Sequence, residues 1–263
     1  MNRYLAIANT WWQRAFNYRA VVFVYRISDL IEMGMLLILW TALYRTTPVI
    51  QGMTEHEMIT YVLVGGLFYE ITRNFSGDEV DRAISSGSLS SFLVKPMSYF
   101  RYYLSMSFGR SMHTALALIT RLIILLILHS YLTTSVTLSG VCIIIAMLFL
   151  GYLTELFMNY LVGMTAFWTE ETAPFYNTYR NLQKFFAGGY FPLVLLPAGL
   201  ITASYWMPFA YRYFVPMQVF LGKTDVFTGI RGIAIQIVWL FILYGIIQIV
   251  WRRGLKKFEA VGR

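Results

Sequence analysis

Charge is scarce in this 263-residue chain: Asp, Glu, Lys and Arg together make up 13% of it, against about 25% in an ordinary soluble domain. Cysteine is scarcer still. Cys142 stands alone in an apolar run, which leaves no disulfide framework and no cysteine-based metal site. The three histidines, His56, His113 and His129, have no His or Cys at metal-ligand spacing. None begins an H-x-x-x-x-D pattern, and neither H-E-x-x-H nor G-x-S-x-G occurs. No catalytic residue and no metal ligand is assigned. Gly222-Lys223-Thr224 has the form of the end of a phosphate-binding loop, but the position that needs its first glycine is Met217. No nucleotide site is read there.

What the chain has instead is apolar mass. Hydrophobic residues make up 58% and aromatics 17%, with a mean hydropathy of +0.59. That leaves too little polar surface to cover a water-soluble globule, so a soluble enzyme domain and a disordered chain are both excluded. The expected fold class is all-α: a polytopic membrane protein forming one transmembrane domain over 1–263.

A helix needs roughly 20 mostly apolar residues to cross a hydrocarbon core of about 30 Å. Gly232–Trp251 supplies 20 without a charge. Leu122–Thr154 is uncharged for 33 residues, too many for one crossing. It divides at Ser130–Ser139 into helices over 112–130 and 139–165. Phe185–Tyr211 is cut by Pro192, Pro197 and Pro208, and reads as a span over 180–197 followed by a broken-helix segment over 197–222 on the outer side. Ile27–Tyr44 and Met58–Asn74 complete six transmembrane helices.

Basic residues orient them. Arg3, Arg14, Arg19 and Arg26, then Arg73, Arg82, Lys95, Arg101 and Arg110, then Arg180 and Lys184, and finally Arg252, Arg253, Lys256, Lys257 and Arg263 fall on one side. Only Arg45, Arg212, Lys223 and Arg231 fall on the other, while Arg121 lies within a span. Sixteen against four places both termini inside (N-in/C-in). The net charge of +8 is spread over loops that topology requires to be basic, so no nucleic-acid partner is read from it.

The first residues lack the compact apolar core of a signal peptide. Over about 4–22, Tyr4, Ile7, Ala8, Trp11, Ala15, Tyr18 and Val22 share a helical face opposite Thr10, Gln13, Arg14 and Asn17. Arg19 breaks the pattern. An N-terminal amphipathic helix lying in the membrane interface accounts for this stripe; an extended start of the first span is the alternative.

Two further features carry the functional reading. Arg121 and Glu155 lie inside spans, where each charge costs about 2.5–3.5 kcal/mol on insertion scales. They are expected to pair across adjacent helices; a gating or substrate-path role and a contact with a neighbouring subunit are the alternatives. The loop over about 77–98 has an acidic first turn, Asp78 to Asp81, a glycine suited to a helix end at Gly87, an apolar cluster Leu89, Phe92 and Leu93, and a stop at Pro96. Its apolar side needs a partner, either the membrane surface or a protein groove.

The run Ile84-x-x-Gly87-x-Leu89-x-x-x-Leu93-x-Lys95-Pro96 resembles the cytoplasmic loop of ABC type-2 transporter permeases. The amphipathic start, six spans and proline-broken segment before the last span, from Leu195-Leu196-Pro197 through Pro216-Met217-Gln218 to Gly222-Lys223, resemble that family as well. The resemblance implies an ATP-driven exporter subunit in the cell (plasma or inner) membrane, with no cofactor of its own. ATP and Mg would be held by a separate ABC ATPase on which Ile84, Gly87, Leu89, Phe92, Leu93, Lys95 and Pro96 dock. It also implies a second permease, identical or related, and a drug-like, antibiotic or lipidic substrate. A membrane-embedded lipid-modifying enzyme would need a convergent polar site, which the sequence does not offer. An ion-coupled carrier or channel would rest on Arg121 and Glu155.

Overall fold

In a computed structural model, residues 3–15, 19–74 and 76–258 are described, with 15, 19–23, 25 and 112–117 by their backbone alone. Tyr18, part of the N-terminal stripe, lies outside them, as do the side chains of Ala15, Val22 and His113. The described residues are helical with one two-stranded hairpin.

A short helix α1 (Arg3–Ala15) precedes the long α2 (Arg19–Tyr44). Strands β1 (Val49–Ile50) and β2 (Met53–Thr54) pair Val49 with Thr54 and Ile50 with Met53. Gln51 and Gly52 have φ of +47° and +74°, as a tight hairpin turn requires. Thr54 and Glu57 form a reciprocal capping box that starts α3 (Glu55–Thr72). After α4 (Gly77–Ser85), α5 (Leu89–Leu93) and α6 (Tyr99–Arg110) come α7 (Met112–Ile127) and α8 (Leu138–Gly163). Then follow α9 (Ala173–Phe186), α10 (Ala198–Trp206), α11 (Phe214–Phe220) and α12 (Val226–Lys257).

Among the described residues three helical stretches are long and apolar enough to cross a membrane: Arg26–Tyr44, Leu138–Phe167 and Val226–Lys257; Leu118–Ile127 is a shorter apolar helix. α8 is the axis of the packing. Its Ile143, Ile144, Met147 and Leu148 belong to one buried cluster, with α2, α3 and α11. Its Tyr152, Leu156 and Tyr160 belong to a second, aromatic cluster with α4, α6 and Ile247 of α12. Large side chains such as Ile38, Leu126 and Phe241 remain exposed. Lipid tails are as apolar as these side chains, so close packing rather than water release holds such helices together.

The structure departs from the expected fifth span over 180–197. α9 ends at Phe186, because Gly188 takes φ +80° and the amides of Gly188 and Gly189 turn back onto the carbonyls of Phe185 and Lys184. This is a Schellman termination, which glycine adopts without a Cβ penalty. At about 1.5 Å per residue, its 14 residues reach roughly 21 Å, short of a crossing.

The broken-helix segment read on the outer side runs in among the helices. α10 ends with the Trp206 carbonyl accepting from Trp239 Nε1 at 3.1 Å, roughly 20 Å along α12 from its start. The chain turns at Ala210–Arg212 and climbs back as α11. Its Val219 packs near Gly140 and Gly229, in the first turns of α8 and α12. Gln236 Nε2 holds the turn by donating to the Tyr211 and Met147 carbonyls at 3.2 and 3.1 Å.

α1 is helical but does not lie free. Ile7 and Trp11 pack into the aromatic cluster, and Gly109 of α6 is so close that a Cβ there would collide with the Ala8 carbonyl. Leu5 and Trp12 stay exposed.

Candidate functional site

The loop between α3 and α6 is built as a braced platform. α4 buries Val80 and Ile84 and turns its acidic residues outward. Asp78 and Glu79 receive Arg82 at 2.7 Å each and Arg110 of α6 at 3.0 and 3.1 Å. Asp81 Oδ2 accepts from the Thr172 hydroxyl at 2.6 Å, just before α9. These carboxylates also complement the helix N-terminus. Gly87, at φ +71°, lets the chain reverse into α5.

That reversal divides the residues expected to form one apolar side. Leu89 is 0% exposed, sealed in the aromatic cluster. Phe92 is half-buried, its ring 4.9 Å from those of Tyr99 and Tyr102. Leu93 is 45% exposed and Val94 84%, while Lys95 and Pro96 are exposed. Lys95 Nζ lies 5.7 Å from the Phe92 ring, and Arg3 Nη1 donates to the Pro96 carbonyl at 3.3 Å. Ile84, Gly87, Leu89 and Phe92 therefore shape the platform, and Leu93, Lys95 and Pro96 form its tip. Val94, more exposed than Leu93, has no periodic partner in the sequence that would have singled it out.

Within the helices, the expected Arg121–Glu155 pair is not formed. Glu155 Oε2 instead accepts from Arg212 Nη1 at 2.6 Å and from the Tyr179 hydroxyl at 2.5 Å. Arg212 also donates to Gln183 Oε1 and, at 3.2 Å, to both the carbonyl and the hydroxyl of Thr72. The two charged side chains are 2% and 3% exposed. Glu155 lies about 26 Å along α8 from its start and about 12 Å from its end. Arg212, counted from the sequence with the outer loops, reaches it because α10 and α11 dip into the helices. A helix-by-helix reading has no term for such a return; the one available hint was a lone cation closing a 27-residue uncharged stretch, Phe185–Tyr211.

Two further charge groups adjoin this pair. Arg26 contacts Asp29 and Glu70 at 3.1 and 2.8 Å, and Arg73 contacts the same two at 3.0 and 3.2 Å, a closed quartet across α2 and the end of α3. Lys184 of α9 pairs with Glu32 of α2. Tyr69 stands between these groups, with the Lys184 ammonium 5.7 Å and the Arg212 guanidinium 6.0 Å from its ring. Arg121, by contrast, donates to Met33 Sδ at 3.0 Å and forms no ion pair among the described residues.

At the far end, Lys223 of the phosphate-loop-like tripeptide is a structural tie. Its Nζ donates to the Gly52 carbonyl at 2.7 Å and pairs with Glu57 at 2.9 Å. His56 lies beside Tyr131, ring centroids 6.1 Å apart. Among the described residues, no three His, Cys, Asp or Glu gather as a metal site.

The assembly is thus a set of apolar helices that pair most of their charges internally, with a braced loop whose tip is exposed. A family model described as ABC-2 family transporter protein matches residues 30–262. No curated protein and no solved structure matches the chain. Composition, helical architecture and a match over nearly its whole length agree: the chain belongs to the ABC-2 family of transporter proteins and is a transport permease with membrane-spanning helices.

Proposed function

We propose that this permease is the membrane subunit of an ATP-driven exporter, moving a drug-like, antibiotic or lipidic substrate across the cell membrane. In this reading the chain makes six crossings with both termini inside, the fifth formed by α9 together with the non-helical residues that follow it, two permeases assemble, and ATP with Mg is handled by a separate ABC ATPase. The observation that carries it is the tip at Leu93 and Val94, exposed at the apex of a loop otherwise locked by buried side chains and four charge contacts. A rigid support beneath an exposed apolar contact transmits displacement without absorbing it. Docking therefore belongs to Leu93, Val94, Lys95 and Pro96, and transmission to Ile84, Gly87, Leu89 and Phe92, through α4 into α8.

Leu93→Asp and Val94→Asp place a carboxylate in the docking contact, where desolvating it opposes association. The check is co-purification with candidate ABC ATPases at matched expression, followed by ATP hydrolysis in the complex. Reduced recovery with a normally folded permease supports the reading. Undiminished association and substrate-stimulated turnover in both variants would leave the loop without a docking role. An ion-coupled carrier using Arg121 and Glu155 draws no support from the geometry, since Glu155 is committed to Arg212 and Tyr179.

A further inference from the structure

Counting charges around Tyr69 leaves one cation over. The quartet of Arg26, Asp29, Glu70 and Arg73 is neutral, as are the Lys184–Glu32 and Arg212–Glu155 pairs. Among the described residues Arg121 has only a thioether sulfur within hydrogen-bonding distance, and it lines a crevice among α2, α3, α7 and the end of α9 that it shares with the paired Asp29, Glu32, Glu70, Arg73 and Lys184, with Gly66 of α3 against its guanidinium. A Cβ on Gly66 would collide with the guanidinium, so the absence of a side chain there lets the head group lie across α3.

Depth and size narrow what such a cation receives. Met33 lies about 16 Å along α2 from its hairpin end and Gly66 about the same along α3, near the middle of a core about 30 Å thick. A resident phospholipid keeps its phosphate at the surface; an anion at this depth arrives on a molecule that crosses. The free space is about 40 Å³, enough for a carboxylate or about three waters but far below the roughly 300 Å³ of a pocket that encloses a drug-sized ligand. The remainder of the ligand lies outside the crevice; the helices that line it carry exposed apolar side chains, among them Met35 of α2 and Leu122 of α7.

We propose that Arg121 anchors the anionic group, a carboxylate or singly charged phosphate ester, of a monoanionic amphiphile carried by this permease, its apolar body lying against α2 and α7. The proposal deepens the transport reading above and rests on it for the word carried.

The test uses the full chain in phosphatidylcholine nanodiscs without any ATPase, with radiolabelled oleate, oleyl alcohol and oleylamine as anionic, neutral and cationic probes and empty discs to subtract partitioning. Wild type is expected to bind oleate about tenfold more tightly than the alcohol, and the amine more weakly still. Arg121→Gln should lose that preference and Arg121→Lys keep most of it. Equal affinities for oleate in wild type and Arg121→Gln overturn the proposal. So does a wild-type protein that does not discriminate among the three probes, a result that depends on no variant folding. Replacing phosphatidylcholine with phosphatidylglycerol distinguishes the sources of the anion: abolished oleate binding assigns Arg121 to a resident lipid and overturns the cargo assignment, while retained binding supports it. Failure here leaves the exporter reading standing, because that reading fails or holds on ATPase co-purification.

Discussion

Removing one partner of the Arg212–Glu155 pair should destabilise the protein more than removing both. At 2.6 Å and an effective dielectric near 20, the gross attraction is about 6 kcal/mol. Desolvation costs several kcal/mol per ion and offsets much of it, so the intact pair adds little net stability. The asymmetry appears on mutation. Glu155→Ala leaves the Arg212 guanidinium in a site 2% exposed, with the neutral Gln183 and Thr72 to receive it, and should cost about 3–5 kcal/mol. Arg212→Met strands the carboxylate beside the Tyr179 hydroxyl and should cost a similar amount. Glu155→Gln, which keeps an acceptor while losing the charge, should cost less. The double variant Glu155→Leu with Arg212→Met should be more stable than either single variant, with a coupling energy of roughly 2 kcal/mol or more. The assay is reversible unfolding by sodium dodecyl sulfate in mixed micelles, followed by tryptophan fluorescence. As an internal control, Arg121→Gln combined with Glu155→Ala should be additive to within about 0.5 kcal/mol, since the two do not touch. Additive losses for Arg212 and Glu155, or strong coupling between Arg121 and Glu155, would refute the pairing.

Other outcomes follow from particular residues. Leu89→Ala should destabilise by about 2–5 kcal/mol because its site is sealed, whereas Leu93→Ala should change folding stability by less than about 0.5 kcal/mol; the same unfolding assay checks both. Gly188→Ala, at φ +80° with its Cβ 2.7 Å from the Tyr61 hydroxyl, should cost about 1–2 kcal/mol and shift the end of α9, visible as altered cysteine accessibility in single-cysteine variants over 186–192. The Asp225 carboxylate at the start of α12 is held below its ordinary value by the Thr228 hydroxyl and then by the Thr228 amide. A depressed pKa means this cap is fully present above the ordinary aspartate range near 4 and is lost as pH falls through the lowered value; carboxyl ¹³C titration of Asp225 checks the direction. For the proposed six-span topology, reporter fusions at Gly52, Gly87, Thr134, Thr178 and the C-terminus should read out, in, out, in, in.

Much of the molecule was determined by the sequence alone, wherever the cause is local or summed along the chain. Low charge and high hydropathy dictated membrane helices, and runs such as Gly232–Trp251 located the last one to within a few residues of its apolar centre. Gly87 and the acidic first turn marked α4 because a left-handed backbone and a helix dipole act over a few residues. Tertiary structure decided what depends on residues distant in sequence. The chain between α9 and α12 enters the helices and returns, carrying Arg212 to Glu155 across 57 positions and leaving Arg121 with a sulfur instead of a carboxylate. Leu89, Phe92 and Leu93 share a helical face by periodicity, yet only one turn of helix separates a sealed residue from an exposed one. Hydrophobic spacing states which side chains avoid water, and packing decides which neighbour covers each. Charge obeys the same division: the sequence records that a cation lies within the apolar region, and only the folded arrangement selects the anion that meets it.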